Sequence, residues 1–154
     1  MGRLRAIALR RCARAAFAAI GALALAAGLA ACTDSSSAET GTRVDVTVRD
    51  FHIKASKRTV PAGTVVLHVT NHGPSTHEFN VDLSRYAPAA LPLQADGLTV
   101  NEDAKGLHRV DSIEQVDLHH TADLSVDLKP GHYVLWCNLE GHYLGGMHVS
   151  LDVR

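Results

Sequence analysis

Near its C-terminus the chain carries three side chains with metal-ligating chemistry in one short run, Cys137-Asn-Leu-Glu-Gly-His142-Tyr-Leu-Gly-Gly-Met147. Four residues separate the thiol from the imidazole, and four more separate the imidazole from the thioether. A thiolate, imidazoles and a weak thioether make a soft donor set that suits copper. Presenting three donors from one loop needs tight turns, which Gly141, Gly145 and Gly146 supply. A second imidazole must come from elsewhere in the fold. His77, in Ser75-Thr76-His77-Glu78-Phe79, opens a strand after a proline turn, where a β-sandwich can bring it to the same end. Taken singly, Cys137 reads as a core thiol, Met147 as a core filler and His142 as a loop histidine. Their combination favours a metal site.

The cysteine accounting supports this. Residues 1–31 contain Cys12, five arginines (Arg3, Arg5, Arg10, Arg11, Arg14) and no acid, and end in 17 uncharged residues from Ala15 to Ala31. That is the positive and then apolar pattern of an export signal. It stops at Leu29-Ala30-Ala31-Cys32, which resembles a bacterial lipoprotein signal. The resemblance implies that Cys32 becomes the acylated N-terminus and anchors the chain to the outer face of a membrane, facing the periplasm or the extracellular side. A plain secretory signal or an uncut anchor helix is the competing account. Arg10-Arg11 hints at the folded-export route, although the residues after it do not follow that pattern. Thr33 to Thr42 (TDSSSAETGT) is small and polar, the composition of a tether. The expected organisation is a signal peptide at 1–31, a tether at 32–42 and one domain at 43–154. Cys137 is then the sole free thiol of an exported domain and has no partner for an internal disulfide.

Without the signal the charge balance changes. The whole chain has a formal charge of −1, but residues 32–154 carry 10 basic and 16 acidic side chains, a charge of −6. That excludes a strongly basic nucleic-acid binder and biases partners towards cationic proteins such as a basic cytochrome. No later apolar run approaches the ~18 residues of a membrane span.

The elements that must hold the donors read as short strands. Val44, Val46 and Val48 alternate with polar residues; Phe51 and Ile53 have the other parity, which predicts a bulge or bend between the two sets. Pro61-Ala62-Gly63 turns into Val65, Leu67 and Val69, and Asn71-His72-Gly73-Pro74 turns into a strand from Thr76 to Leu83. Ala122 to Leu128 alternates, Lys129-Pro130-Gly131 turns into Tyr133 to Cys137, and Val149, Leu151 and Val153 close the chain. With no convincing amphipathic helix, an antiparallel β-sandwich or barrel follows. The stretch from Asp82 to Thr121 predicts a long loop, a short helix and a strand through Val110 to Leu118. Strand parity turns His68, His132 and His148 to solvent and Trp136 outward beside the thiol. His52, His72, His108 and the adjacent pair His119-His120 read as non-ligands.

These motifs together resemble the cupredoxin (type 1 blue copper) family, with its plastocyanin, azurin and auracyanin branches. The resemblance rests on Gly131-His-Tyr133-Val-Leu-Trp-Cys137, the GHY around His142, the GGM at Met147, Val60-Pro-Ala-Gly63 through Val69-Thr-Asn71, and His77-Glu-Phe79. It implies an all-β Greek-key antiparallel sandwich and one copper ion cycling between Cu(I) and Cu(II). His77, Cys137 and His142 would be the strong ligands and Met147 the weak axial one, with the Glu78 backbone N–H donating to the Cys137 sulfur. The implied role is a monomeric electron carrier, not an enzyme, serving exported redox proteins such as a cytochrome or terminal oxidase. Electrons would enter at His142, framed by Pro74, Leu139, Tyr143 and Leu144, with Trp136 as a second route. A copper storage or delivery lipoprotein is the alternative. Multicopper enzymes need further His-x-His clusters, which are absent from the sequence.

Overall fold

The computed structural model describes residues 41–154. The expected signal peptide at 1–31, Cys32 and residues 33–40 of the expected tether lie outside the described residues. Nine strands follow in order: β1 (Thr42–Arg49), β2 (His52–Ala55), β3 (Thr59–Val60), β4 (Gly63–Asn71), β5 (His77–Ser84), β6 (Leu107–Val116), β7 (Thr121–Leu128), β8 (Gly131–Trp136) and β9 (His148–Val153). They form two sheets, ordered β2-β1-β4-β7 and β3-β9-β8-β5-β6. The result is an all-β two-sheet sandwich. No helix among the described residues is long and apolar enough to cross a membrane.

The alternating valines place themselves. β1 pairs with β4 so that Val44 lies opposite Leu67 and Val46 opposite Val69, and β4 pairs with β7 so that Val65 faces Val126. The other sheet turns Phe79, Val81, Tyr133, Leu135, Val149 and Leu151 into the same core. Burying each such side chain contributes about 1.5–3 kcal/mol, so this shared interior is the main term opposing chain entropy. Most pairings are antiparallel, as expected, but β1–β4 and β3–β9 run parallel. The chain leaves the first sheet after β2, pairs β3 at the edge of the second, and re-enters as β4.

Two expectations change. No bulge follows Val48; instead the chain reverses at Asp50-Phe51, and β2 pairs back on β1 with His52 opposite Arg49. A reversal across a two-residue turn shifts side-chain parity as a bulge does, so the sequence pattern is the same for both. Phe51 takes a positive φ of 59°, an uncommon conformation for a bulky residue. The second change concerns Trp136. Its parity is indeed opposite to that of Cys137, but the ring is fully buried. Residues 85–106, which hold only a 3-10 turn at Pro88–Ala90 and a bridge between Leu93 and Val100, cover the outer face of β8. Leu91, Val100, Ala104, Leu107, Val134, Trp136 and Tyr143 form a second apolar cluster there. Parity says which face a side chain takes and not whether another segment covers that face.

Asp82 lies buried beneath this cluster. Its Oδ2 accepts the Trp136 Nε1–H at 2.7 Å and the Arg109 Nε–H at 3.1 Å. Arg109 also pairs with Glu102 at 3.1 Å and stacks its guanidinium 5.7 Å from the Trp136 ring centre. Burial pushes the Asp82 carboxyl above its ordinary value of 3.8, outweighing the opposing pull of Trp136 and Arg109. A raised acid pKa gives stability that is present at low pH and lost as pH rises through the folded value. Replacing Asp82 by Ala strands both donors and should cost roughly 2–4 kcal/mol, below the value for fully buried pairs because Arg109 reaches solvent. Asp82→Asn keeps an acceptor for Trp136, should cost less, and should lose less stability than the wild type as the pH rises from 4 to 8. Urea unfolding across that range checks both; an Asp82→Ala variant of wild-type stability would refute the account.

Candidate metal centre

Cys137 directly follows β8 and Met147 directly precedes β9, so the loop between them is bounded at both ends by paired strands. The Cys137 N–H donates to the Met147 carbonyl (3.1 Å), and the Met147 N–H donates to the His142 carbonyl (3.1 Å). The His142 N–H donates to Leu139 (2.9 Å) and the Gly145 N–H to Gly141 (2.9 Å). Gly141 and Gly146 take φ values of +76° and +113°, which a side chain would resist. Each donor residue is therefore fixed through its own backbone.

His77 is the first residue of β5, which pairs with β8 in the same sheet, so the imidazole emerges beside Cys137. His77 Nδ1 and His142 Nδ1 lie 3.3 Å apart, and Cys137 Sγ lies 3.7 Å from His142 Nδ1. The three donors all fall within 4.8 Å of one another, and among the described residues they are the one His/Cys/Asp/Glu group so arranged. A cation bonded at about 2.0 Å to nitrogen and 2.3 Å to sulfur spans donor pairs of roughly 3.3–3.8 Å. The observed separations suit such an ion. Met147, the thioether expected in this donor set, is fully buried in the core cluster that contains Cys137. His119 and His120 sit at a turn, with His120 beside Asp117 at 3.8 Å.

Burial pushes the Cys137 thiol up to about 11, although the backbone N–H groups of Leu139 and Glu78 both donate to the sulfur. The Glu78 bond matches the expectation; the Leu139 bond was not foreseen. Burial, and then the neighbouring His142, hold His77 below its ordinary 6.5, against an opposing pull from Asp50. Burial thus supplies the neutral imidazole that metal binding requires, whereas the thiol must yield its proton to the incoming ion.

The rim differs from expectation. Leu144 and Pro74 are exposed and Leu139 is half-buried, but Tyr143 turns inward, edge-on to Trp136. Its hydroxyl accepts the Leu91 N–H and donates to the Pro88 carbonyl, each at 2.8 Å. Asn138 likewise bonds Val100 and Glu102, so residues 85–106 brace the donor loop from outside. Phe51, 53% exposed, takes the place expected of Tyr143, with its ring edge-on to His142 at 5.6 Å. It lies over Gly145, where an added Cβ would come within 2.1 Å of the ring. His148 is half-buried against Tyr143 instead of solvated, and burial lowers its pKa. His132 and His68 do reach solvent, paired with Asp152 and Asp123.

The cupredoxin-like domain profile matches residues 20–149. No curated protein matches the sequence. Among solved structures, dithionite-reduced auracyanin from Roseiflexus castenholzii superposes with a TM-score of 0.54 at 19% identity, covering 74% of this chain and 98% of that one. Auracyanin A from Chloroflexus aurantiacus, described as a "blue" copper protein, gives 0.50 at 17% identity over 74% and 99%. Rusticyanin from Thiobacillus ferrooxidans gives 0.50 at 16% identity over 75% and 79%. The fold is shared with these proteins, and the cluster of His77, Cys137, His142 and Met147 resembles a type 1 copper site.

Because the metal-free thiol holds its proton well above neutrality, uptake of one Cu(II) at about pH 8 should release one proton from Cys137. A copper titration in weakly buffered indicator solution measures it. Cys137→Ser should abolish the release, and a wild type that releases none would exclude the thiolate as a donor.

Proposed function

The chain belongs to the cupredoxin-like domain family, and on that premise we propose that it is a single-electron carrier in which His77, Cys137, His142 and Met147 hold one copper ion. One observation carries this reading: His77, Cys137 and Met147 are fully buried, while His142 alone of the four reaches the surface. Copper bound there supplies a one-electron Cu(I)/Cu(II) couple, which two sulfur donors and two imidazoles keep reversible.

Each residue has a separate task. Cys137 gives the thiolate, steadied by the Glu78 and Leu139 N–H groups, which withdraw charge from the sulfur. Met147 closes the buried side of the site with a weak donor. His77 fixes the site to β5. The strands and the closed donor loop restrain all four, so a change of charge is accommodated with little movement. His142 gives electrons a path to solvent through one imidazole edge. Beside it the exposed Phe51 ring and two apolar residues of its own loop, Leu139 and Leu144, offer surface that sheds water easily when a partner docks. Trp136, being covered, offers no surface exit of its own.

In this proposal the mature chain is lipidated at Cys32 and works as a monomer on the outer face of the cell membrane. Its partners are exported redox proteins such as a cytochrome or terminal oxidase. The −6 charge of residues 32–154 favours cationic ones. Support for the anchor is the Leu29-Ala30-Ala31-Cys32 motif.

Copper-loaded protein should show the intense blue absorption of a thiolate–Cu(II) centre, lost in Cys137→Ser, and should exchange electrons with a cytochrome. A colourless loaded protein would defeat the reading. Blue protein that never exchanges electrons would favour copper delivery. Cys32→Ala should move the chain from the membrane fraction to the soluble exported fraction, and its retention in the membrane would exclude lipidation as the anchor.

A further inference from the structure

Three buried side-chain polar atoms among the described residues lack a hydrogen bond: Asp50 Oδ1, His77 Nε2 and Asn80 Nδ2. Two of the three face each other. Asp50 Oδ1 lies 3.4 Å from His77 Nε2, a few tenths of an ångström beyond a good N–H···O bond. Buried polar groups are almost always paired in native proteins. If His77 Nδ1 serves the metal, Nε2 must carry the proton, and Asp50 Oδ1 is the carboxylate oxygen that this N–H meets.

The carboxylate is aimed there from several sides. Ser75 Oγ donates to its other oxygen, Oδ2, at 3.1 Å. Ser75 is in turn held by Asn71, whose Nδ2 donates to the Ser75 carbonyl at 2.7 Å and whose Oδ1 accepts the Gly73 N–H at 2.8 Å. The His72 N–H donates to Val48 at 2.9 Å, and Gly73 packs so closely that an added Cβ would lie 2.8 Å from Arg49 Cα. The β1–β2 turn and the loop leading to His77 are thus one rigid unit. The next residue, Phe51, takes its unusual positive φ and sets its ring against His142. Backbone outliers of this kind persist only where the surroundings impose them, and they gather at functional sites. The dipeptide Asp50-Phe51 touches both imidazoles.

We propose that Asp50 is a positioning residue of the metal centre: it accepts the Nε2–H of His77, fixes the tautomer that leaves Nδ1 free for copper, and places a negative charge behind that ligand. The proposal rests on the copper reading given above. A carboxylate behind a ligating imidazole makes the ring a stronger donor, and its charge favours Cu(II) over Cu(I). The wild-type reduction potential is therefore held down.

Asp50→Asn keeps an oxygen acceptor and removes the charge; Asp50→Ala removes both. The Asn variant should remain blue and as stable as the wild type. Its Cu(I):Cu(II) affinity ratio should rise about tenfold, an upward shift of ~59 mV for a one-electron couple. The Ala variant should shift at least as far and lose roughly 10–100-fold in Cu(II) affinity. Blue variants that both keep the wild-type potential would overturn the proposal. A wild type that never turns blue would sink the copper reading instead. Nitrogen NMR of the metal-free protein still decides on Asp50 in that event. His77 should be protonated at Nε2 in the wild type and mixed in Asp50→Ala, and the same tautomer population in both would overturn the proposal.

Discussion

Antiparallel pairing of β5 with β8 is the constraint on which the site depends. The register that sets Asn80 opposite Trp136 also brings the first residue of β5 and the residue after β8 out at one end of the same sheet. A nitrogen and a sulfur sixty residues apart in the chain meet because two backbones share a ladder. The loop back to β9 then adds His142 and Met147 at short range. Slipping that register by one residue would turn His77 away from the thiol and expose Phe79 and Val81, so the hydrophobic core and the donor geometry are specified by the same pairing.

Burial acts on the site in two directions. It keeps the metal-free thiol protonated and His77 neutral, so an empty site carries little charge and the sandwich closes over it at small cost. A soft cation reverses the balance, since the thiolate it demands is then stabilised by the ion itself and by two backbone N–H groups. Asp82 shows the same dry environment on the other side of β8. There the carboxylate is tolerated only through the Trp136 and Arg109 donors.

How much of this was legible in the sequence depended on range. The alternation of Val44, Val46 and Val48, or of Val149, Leu151 and Val153, reports strand and core together because one face is buried and the period is two. The donor loop was legible because its three donors are close neighbours in the chain and its glycines mark the turns. His77 was recoverable from its place at a strand start. The cover over Trp136 was not, because residues 85–106 have no periodicity and act through Tyr143, Asn138 and Leu91 at long range. Asp50 was hidden for a related reason: a polar residue in a tight turn has many ordinary explanations, and its meeting with His77 exists only after β1, β2 and β5 have been assembled. The inward turn of Tyr143 and its replacement on the rim by Phe51 follow from those same two long-range contacts.

β1 begins at Thr42 and ends at Arg49, one residue before the carboxylate that faces His77. Eight strand residues at about 3.3 Å each separate the two ends by roughly 25 Å. Thr42 and the donor cluster therefore lie at opposite ends of β1. The donor end can therefore be covered by a docking partner without that partner meeting the end of the sheet where β1 begins.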